Sequence, residues 1–304
     1  MGEQSAMETP RRYPLIFNPK ARSQKSEKVL RFLLDHAHHF ALYATNHAGE
    51  ARELAARFAA QGEPVVIAAG GDGTLNEVVN GLAGSATALG ILPVGTMNVF
   101  ARELAIPCDS LERAFAVIER GAVREVDLFQ ANGAPFVQMA GVGFDAQVIE
   151  QTTWAAKKSL GPLAYLLAAV KVLGERPPRL EVVCADGRRE HGVAVIAGNG
   201  AYYGGAFRFF RHADNRDSKL DVLVYKEAGY RLLFDSLRGL ACGGIDLLAS
   251  TTYFQTEAFT VTADCEVPVE VDGEWLGRFA HVSFGETSHC LRVIAPEPQP
   301  TRNP

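Results

Sequence analysis

The stretch from Val65 to Glu77 narrows the possible folds more than any other part of the chain. Val65-Val66-Ile67-Ala68-Ala69 is apolar and begins β-branched, the pattern of a strand buried on both faces. It runs straight into Gly70-Gly71-Asp72-Gly73-Thr74, and a helical pattern follows from Leu75. Glycines let the backbone approach a ligand closely, and a helix start offers free N–H groups and a positive dipole end. Both suit phosphate. Thr74 can cap the helix or bond a phosphate oxygen, and Asn76 follows on the same helix start. Asp72 would repel phosphate unaided, and makes sense if it holds Mg²⁺, directly or through water, beside the phosphates. The turn lacks the Gly-Lys-Ser/Thr of a Walker A loop and the spacing of Gly-x-Gly-x-x-Gly.

The first half repeats this strand–helix alternation. Strands are expected over Tyr13–Asn18, Phe40–Thr45, Pro64–Ala69 and Ala88–Leu92. Helices are expected over Ser26–His36, His47–Gln61, Leu75–Leu82 and Leu111–Arg120. Such alternation implies a mostly parallel sheet covered by helices on both faces. In an open sheet of this kind, loops at the carboxyl ends of neighbouring strands share one crevice. A second loop, Pro93-Val94-Gly95-Thr96-Met97-Asn98, therefore falls beside the first, so that Gly95, Thr96 and Asn98 can face the same phosphates. Asn18 falls on the same edge.

The second half changes rhythm. Short strands are expected over Arg124–Phe129, Pro135–Ala140, Leu180–Cys184, Val193–Gly198, Leu220–Tyr225, Phe259–Thr262, Val267–Val271 and Ala280–Phe284, with turn residues between them. That is the pattern of an antiparallel sandwich or barrel. Helices are expected at Pro162–Gly174 and Arg231–Ala249. The division into domains is expected near Arg120–Asp127.

Composition closes off several classes. Among 304 residues, 30 Lys and Arg stand against 35 Asp and Glu, so no whole-chain basic field draws nucleic acid. The five cysteines are widely spaced and read as small buried hydrophobes in a reducing cytosol. Met1–Pro10 lacks the apolar run of a signal peptide. Pro162–Leu173 is short of the ~20 residues that span a bilayer. Leu232–Ala249 carries Asp235, Arg238 and Asp246, each costly at a bilayer centre. A soluble cytoplasmic protein is expected, one that can still touch a membrane surface. His36, His38 and His39 read as a solvated helix end. The aromatic stretch Tyr202, Tyr203, Phe207, Phe209 and Phe210, with Arg208 and Arg211, reads either as core or as a lipid-facing loop. Lys157 and Lys158 beside Trp154 could meet anionic headgroups in the same way.

In order along the chain stand Phe17-Asn18-Pro19, Thr45 with Gly49 and Ala51, Gly70 to Thr74, and Pro93 to Arg102. Then come Gly143-Phe144-Asp145-Ala146, Gly198-Asn199-Gly200 with Tyr203-Gly204-Gly205, Asp217 to Val222, and Asp272-Gly273-Glu274. This series resembles the diacylglycerol kinase catalytic family, in its soluble bacterial lipid-kinase branch. Sphingosine and ceramide kinases are more distant members. NAD kinases and phosphofructokinases share only the Gly-Gly-Asp-Gly turn.

The resemblance implies a Rossmann-like three-layer α/β domain over residues 11–125 that binds the nucleotide. It implies an antiparallel β-sandwich over residues 126–295 that helps form the lipid site, with the last strand or tail returning to the first domain. ATP would be held by Asn18, Thr45, Gly70 to Thr74, Asn76, Gly95, Thr96 and Asn98. Asp72 and Asp127 would belong to an Asp–water–Mg²⁺ network. Glu274 would be the general base, with Asp272 beside it. Asp214, Asp217 and the carbonyl of Lys219 match a structural Mg²⁺ or Ca²⁺ site. The chain departs from the family at Val99, where Asp often follows Asn98, at Ser218, where glycine is usual, and at Phe209-Phe210-Arg211-His212, which replaces a proline-containing approach. The acceptor is open among diacylglycerol, phosphatidylglycerol, sphingoid bases and ceramide, presented at the inner membrane surface. Oligomeric state is open too, a homodimer included. The rival readings are an NAD or other small-molecule kinase of the same fold, and a nucleotide-binding regulator without catalysis.

Overall fold

The computed structural model describes residues 12–19, 26–151, 177–205, 207–227 and 250–297. The first domain runs β1 (Tyr13–Phe17), α1 (Ser26–Asp35), β2 (Phe40–Ala44), α2 (Glu50–Ala60), β3 (Val65–Gly70), α3 (Asp72–Leu82), β4 (Ala88–Pro93), α4 (Val99–Glu103) and α5 (Leu111–Arg120). The second runs β5 (Val123–Ala131), β6 (Ala134–Phe136), β7 (Met139–Val142), α6 (Phe144–Gln151), β8 (Leu180–Cys184), β9 (Arg189–Gly192) and β10 (Ala194–Gly198). It continues with β11 (Tyr202–Tyr203), β12 (Phe207–Arg208), β13 (Leu220–Tyr225), β14 (Thr251–Thr256), β15 (Ala258–Val271) and β16 (Glu274–Ile294).

Strands β4, β3, β1 and β2 lie side by side in parallel, as β–α alternation dictates. Their side chains Leu15, Ile16, Ile67, Leu89 and Ile91 are buried between helices. Each contributes ~1.5–3 kcal/mol by leaving water. Helix α5 shows the local logic: Ser110 Oγ accepts from the Arg113 N–H at its start, and Gly121 closes it at φ 67°. The second domain is an antiparallel β-sandwich around Phe129, Phe136, Val182, Val222, Val269 and Phe284. A third cluster holds Met139, Ile196, Phe209, Phe210 and Leu223. Phe209 and Phe210 are therefore core residues. The side chain of Phe207 lies outside the described residues, as do Trp154, Lys157, Lys158, Cys242 and the helices expected at Pro162–Gly174 and Arg231–Ala249.

Strands β9, β11, β12 and β14 were not expected from the sequence, and four expected strands take a different form. The strand expected over Pro135–Ala140 is two, β6 and β7, because the N–H groups of Val137, Gln138 and Met139 turn to the carboxylate of Asp272. The two expected over Phe259–Thr262 and Val267–Val271 are one, β15, whose pairing with β16 shifts register between Thr262 and Val267. The fourth, expected over the five residues Ala280–Phe284, lies within β16, which runs 21 residues. Strand β16 pairs antiparallel with β15 and β5 and parallel with β4, through Val293 opposite Leu89. Among the described residues, one hydrogen-bonded sheet of 14 strands thus crosses from one domain to the other.

Among the described cysteines, Cys184 is buried and Cys108 and Cys290 are half-buried, but Cys265 is exposed. Cys265 falls in the irregular part of β15, which turns it out of the core. His36 stacks on Phe32 at 4.4 Å and His39 packs edge-on to Phe115 at 5.2 Å, so this helix end is partly packed rather than solvated.

Candidate active site

The turn after β3 and the loop after β4 touch backbone to backbone. A methyl group at Gly95 would fall 2.5 Å from the Gly71 Cα and 2.7 Å from Asn98 Oδ1, so only glycine permits this approach. Val94 N–H donates to the Gly70 carbonyl at 3.2 Å, and Asn98 Nδ2 to the Gly95 carbonyl at 2.9 Å. Helix α3 begins at Asp72, three residues before the expected Leu75, and its N-cap Gly71 has no side-chain cap. Gly73 and Thr74 thus lie in the first helical turn, whose N–H groups have no intrahelical acceptor. Thr74 folds back over Gly70 and does not cap the helix.

Asp72 joins the two loops. Its carboxylate accepts from the N–H of Val99 at 2.7 Å and of Asn98 at 3.0 Å. Those two N–H groups open α4, a helix of five residues that follows Asn98 in the left-handed conformation at φ 50°. Burial pushes the Asp72 carboxyl up from its ordinary range, and these N–H groups oppose that shift. Thr45 is buried, its N–H bonded to the Phe17 carbonyl beside Asn18. Asn76 accepts from Asn80 Nδ2 on α3, and Thr96 is exposed in the loop after β4.

From the other domain comes the hairpin Asp272-Gly273-Glu274. Both Asp272 and Gly273 have positive φ, 50° and 83°, and Val271 pairs with Glu274, so this is a two-residue turn of the primed kind. Glu274 Oε1 lies where it would be 3.4 Å from a methyl group on Gly73. The Asp272 carboxylate points inward, accepting from the N–H groups of Val137, Gln138 and Met139 at 2.9, 2.9 and 3.0 Å. Burial pushes its pKa up to about 6, opposed by those three N–H groups and reinforced by the charge on Asp72. The structure thus brings Asp72, Gly73, Asp272 and Glu274 to one place between the domains.

A second acidic group gathers where β5 meets the loop before β13. Asp127 Oδ2 accepts from the Ser218 N–H at 2.7 Å, and Asp217 Oδ1 from the Lys219 N–H at 3.0 Å. Asp214 pairs with Arg216, and Ser218 adopts φ 55°, the conformation for which glycine is favoured. Burial raises the Asp127 carboxyl, and the charges of Glu286, Asp217 and Asp214 raise it further. Among the described residues, no three acidic, His or Cys side chains converge as a ready metal cage, here or at Asp72.

Sequence reasoning missed the roles of three polar side chains, two of them at the domain junction. Glu103, at the end of α4, accepts from Gln138 Nε2 at 2.9 Å and from the N–H groups of Ala201 at 2.7 Å and Tyr202 at 3.0 Å. Asn199 Nδ2 donates to the carbonyls of Asp127 and Val137. Asn199 had a signal, its place in the Gly198-Asn199-Gly200 motif. Glu103 and Gln138 had none, because their partners come from distant parts of the chain.

Residues 12–131 match the diacylglycerol kinase catalytic domain, and residues 138–295 match the YegS C-terminal NAD kinase beta sandwich-like domain. The diacylglycerol kinase of Bacillus subtilis (strain 168) is 30% identical over 302 residues, covering 94% of this chain and 97% of the relative. That of Staphylococcus aureus (strain MRSA252) is 30% identical over 306 residues, covering 94% and 93%. The crystal structure of a diacylglycerol kinase from Bacillus anthracis str. Sterne shares the fold with TM-score 0.72 and 23% identity, covering 94% and 97%. An NAD kinase from Archaeoglobus fulgidus in complex with ATP shares it more loosely, with TM-score 0.54 and 10% identity over 94% of each chain.

Proposed function

Since this chain belongs to the diacylglycerol kinase catalytic family and is a kinase, we propose that it transfers the γ-phosphate of ATP to the hydroxyl of a membrane lipid such as diacylglycerol. The observation that carries this reading is the Glu274 carboxylate, delivered by the second domain against Gly73 of the phosphate turn. A base placed there can take the proton of an acceptor hydroxyl as its oxygen attacks the γ-phosphorus. A new P–O bond forms to the acceptor, the bond to the β-phosphate oxygen breaks, ADP leaves, and the proton goes to Glu274.

On this reading residues 11–125 bind ATP and residues 126–295 present the acceptor. The N–H groups at the start of α3 and the backbones of Gly70, Gly71, Gly73 and Gly95 take the phosphates. Asn18, Thr45, Asn76, Thr96 and Asn98 line the nucleotide side. Asp72 sets the two loops in register, and each of its oxygens keeps a lone pair beyond the N–H bond it accepts. It would hold Mg²⁺ together with ATP phosphates, the usual sharing for that ion, which supplies neutralisation of phosphate charge. Asp127 would join Asp72 in the Mg²⁺ network, and Asp214, Asp217 and the Lys219 carbonyl would take a structural Mg²⁺ or Ca²⁺, relieving the repulsion between the two carboxylates. Among the described residues no helix is long and apolar enough to cross a membrane. A chain acting from the cytoplasm on lipid at the inner membrane surface fits that observation.

Labelled ATP and Mg²⁺ incubated with vesicles carrying diacylglycerol, phosphatidylglycerol, ceramide or sphingosine provide the test. A labelled phospholipid is expected, and Glu274→Gln should lose ~100-fold or more of the rate while still binding ATP. Label appearing only on NAD or another soluble acceptor would overturn the lipid reading.

A further inference from the structure

We propose that Glu103 is a positioning residue that fixes the acceptor side of the cleft onto the phosphate loops. Glu103 is the one acidic residue of α4. The start of that helix is held by Asp72, through the N–H groups of Asn98 and Val99. Its end reaches the second domain, where the half-buried Glu103 carboxylate gathers the Ala201 and Tyr202 N–H groups and Gln138 Nε2. A charged acceptor bonded to two backbone N–H groups makes a stronger tie than neutral hydrogen bonds would. The turn is shaped to admit it: a methyl group at Gly200 would fall 2.6 Å from Glu103 Oε2 and 2.3 Å from Gln138 Nε2.

The same contacts close a circuit. Gln138 N–H donates to Asp272, which is two residues from Glu274, and Glu274 returns to Gly73 beside Asp72. Gly205, beyond β11, approaches Met97 of the second phosphate loop, where a methyl group would be 3.1 Å from Sδ. Removing Glu103 opens this circuit at the link between α4 and the Asn199–Tyr202 turn. It leaves the Asp72 contacts to the nucleotide side in place. The acceptor side should therefore lose its register while ATP binding persists. This inference rests on the reading of the cleft as the place of phosphoryl transfer.

Glu103→Ala and Glu103→Gln in the full chain test it by two readouts. In Glu103→Ala the amides of Ala201 and Tyr202 should exchange with solvent about tenfold faster or more, with Glu103→Gln between it and the parent chain. The KM for diacylglycerol in phosphatidylglycerol vesicles should rise about fivefold or more, while the Kd for ATP changes less than about twofold. Unchanged exchange at Ala201 and Tyr202 would overturn the proposal, and so would equal losses for ATP and acceptor, which mark a general structural defect. Should Glu103→Ala fail to fold, Glu103→Gln carries the same comparison. A parent chain that phosphorylates no lipid would defeat the lipid reading alone, because exchange and ATP binding still judge Glu103.

Discussion

Asp272 is held ionised by three backbone N–H groups and pushed toward neutrality by burial, and burial wins. Its pKa of about 6 in the folded chain compares with ~3.9 unfolded. Between those values the folded chain keeps a proton that the unfolded chain releases. This group therefore stabilises the fold most below pH ~4, and that contribution is lost as pH rises through ~6, by ~2–3 kcal/mol. Denaturant titrations at pH 4.5 and pH 7 check it: Asp272→Asn should lower the stability at pH 4.5 relative to that at pH 7 by ~2 kcal/mol. An unchanged difference would show that Asp272 is not the group responsible. Gly73→Ala probes the neighbouring contact. The added methyl lies at ordinary contact distance, 3.4 Å from Glu274 Oε1, so the melting temperature should hold. With the gap between Gly73 and Glu274 filled, turnover should slow ~10-fold or more. At this scale the sequence was most legible where chemistry is local. Asp72 and the glycines stand in one turn, and Glu274 in one hairpin. Their partners Gln138 and Glu103 were not legible, because each earns its place through contacts made across the domain junction.

Elements were legible where periodicity or turn chemistry decides them. Helix α5 matches its expected bounds, and the strand–helix alternation of the first domain follows from buried β-branched runs. Helix α4 has only five residues, too few to show a period, and is held by Asp72 rather than by its own pattern. Strand β16 was underestimated because its alternation breaks at the irregularity between Glu286 and Cys290. Its far end nevertheless matters to stability. Leu291 is 1% exposed, and Leu291→Ala should cost ~2–5 kcal/mol in chemical denaturation. Gly95→Ala should act on a different element pair. Its methyl would drive the loop after β4 away from Gly71, and calorimetry should show ATP affinity lowered by about tenfold or more.

For the whole molecule, the continuous sheet implies that the two domains stabilise each other. Both tryptophans, Trp154 and Trp275, belong to the second half, while α1 to α5 belong to the first. Urea unfolding followed by tryptophan fluorescence and by far-ultraviolet circular dichroism should therefore give one midpoint. Two separated midpoints would mean that the domains unfold independently. Composition and pattern pointed to two kinds of domain, but no periodicity marks which strand of one will hydrogen-bond to which strand of the other. That pairing sets a clock during synthesis. The edge of β4 at Leu89 leaves the ribosome about 200 residues before its partner Val293, and at ~5–20 residues per second it waits on the order of 10–40 s. Through that interval the nascent first domain presents an unpaired apolar strand edge, the kind of surface a chaperone shields.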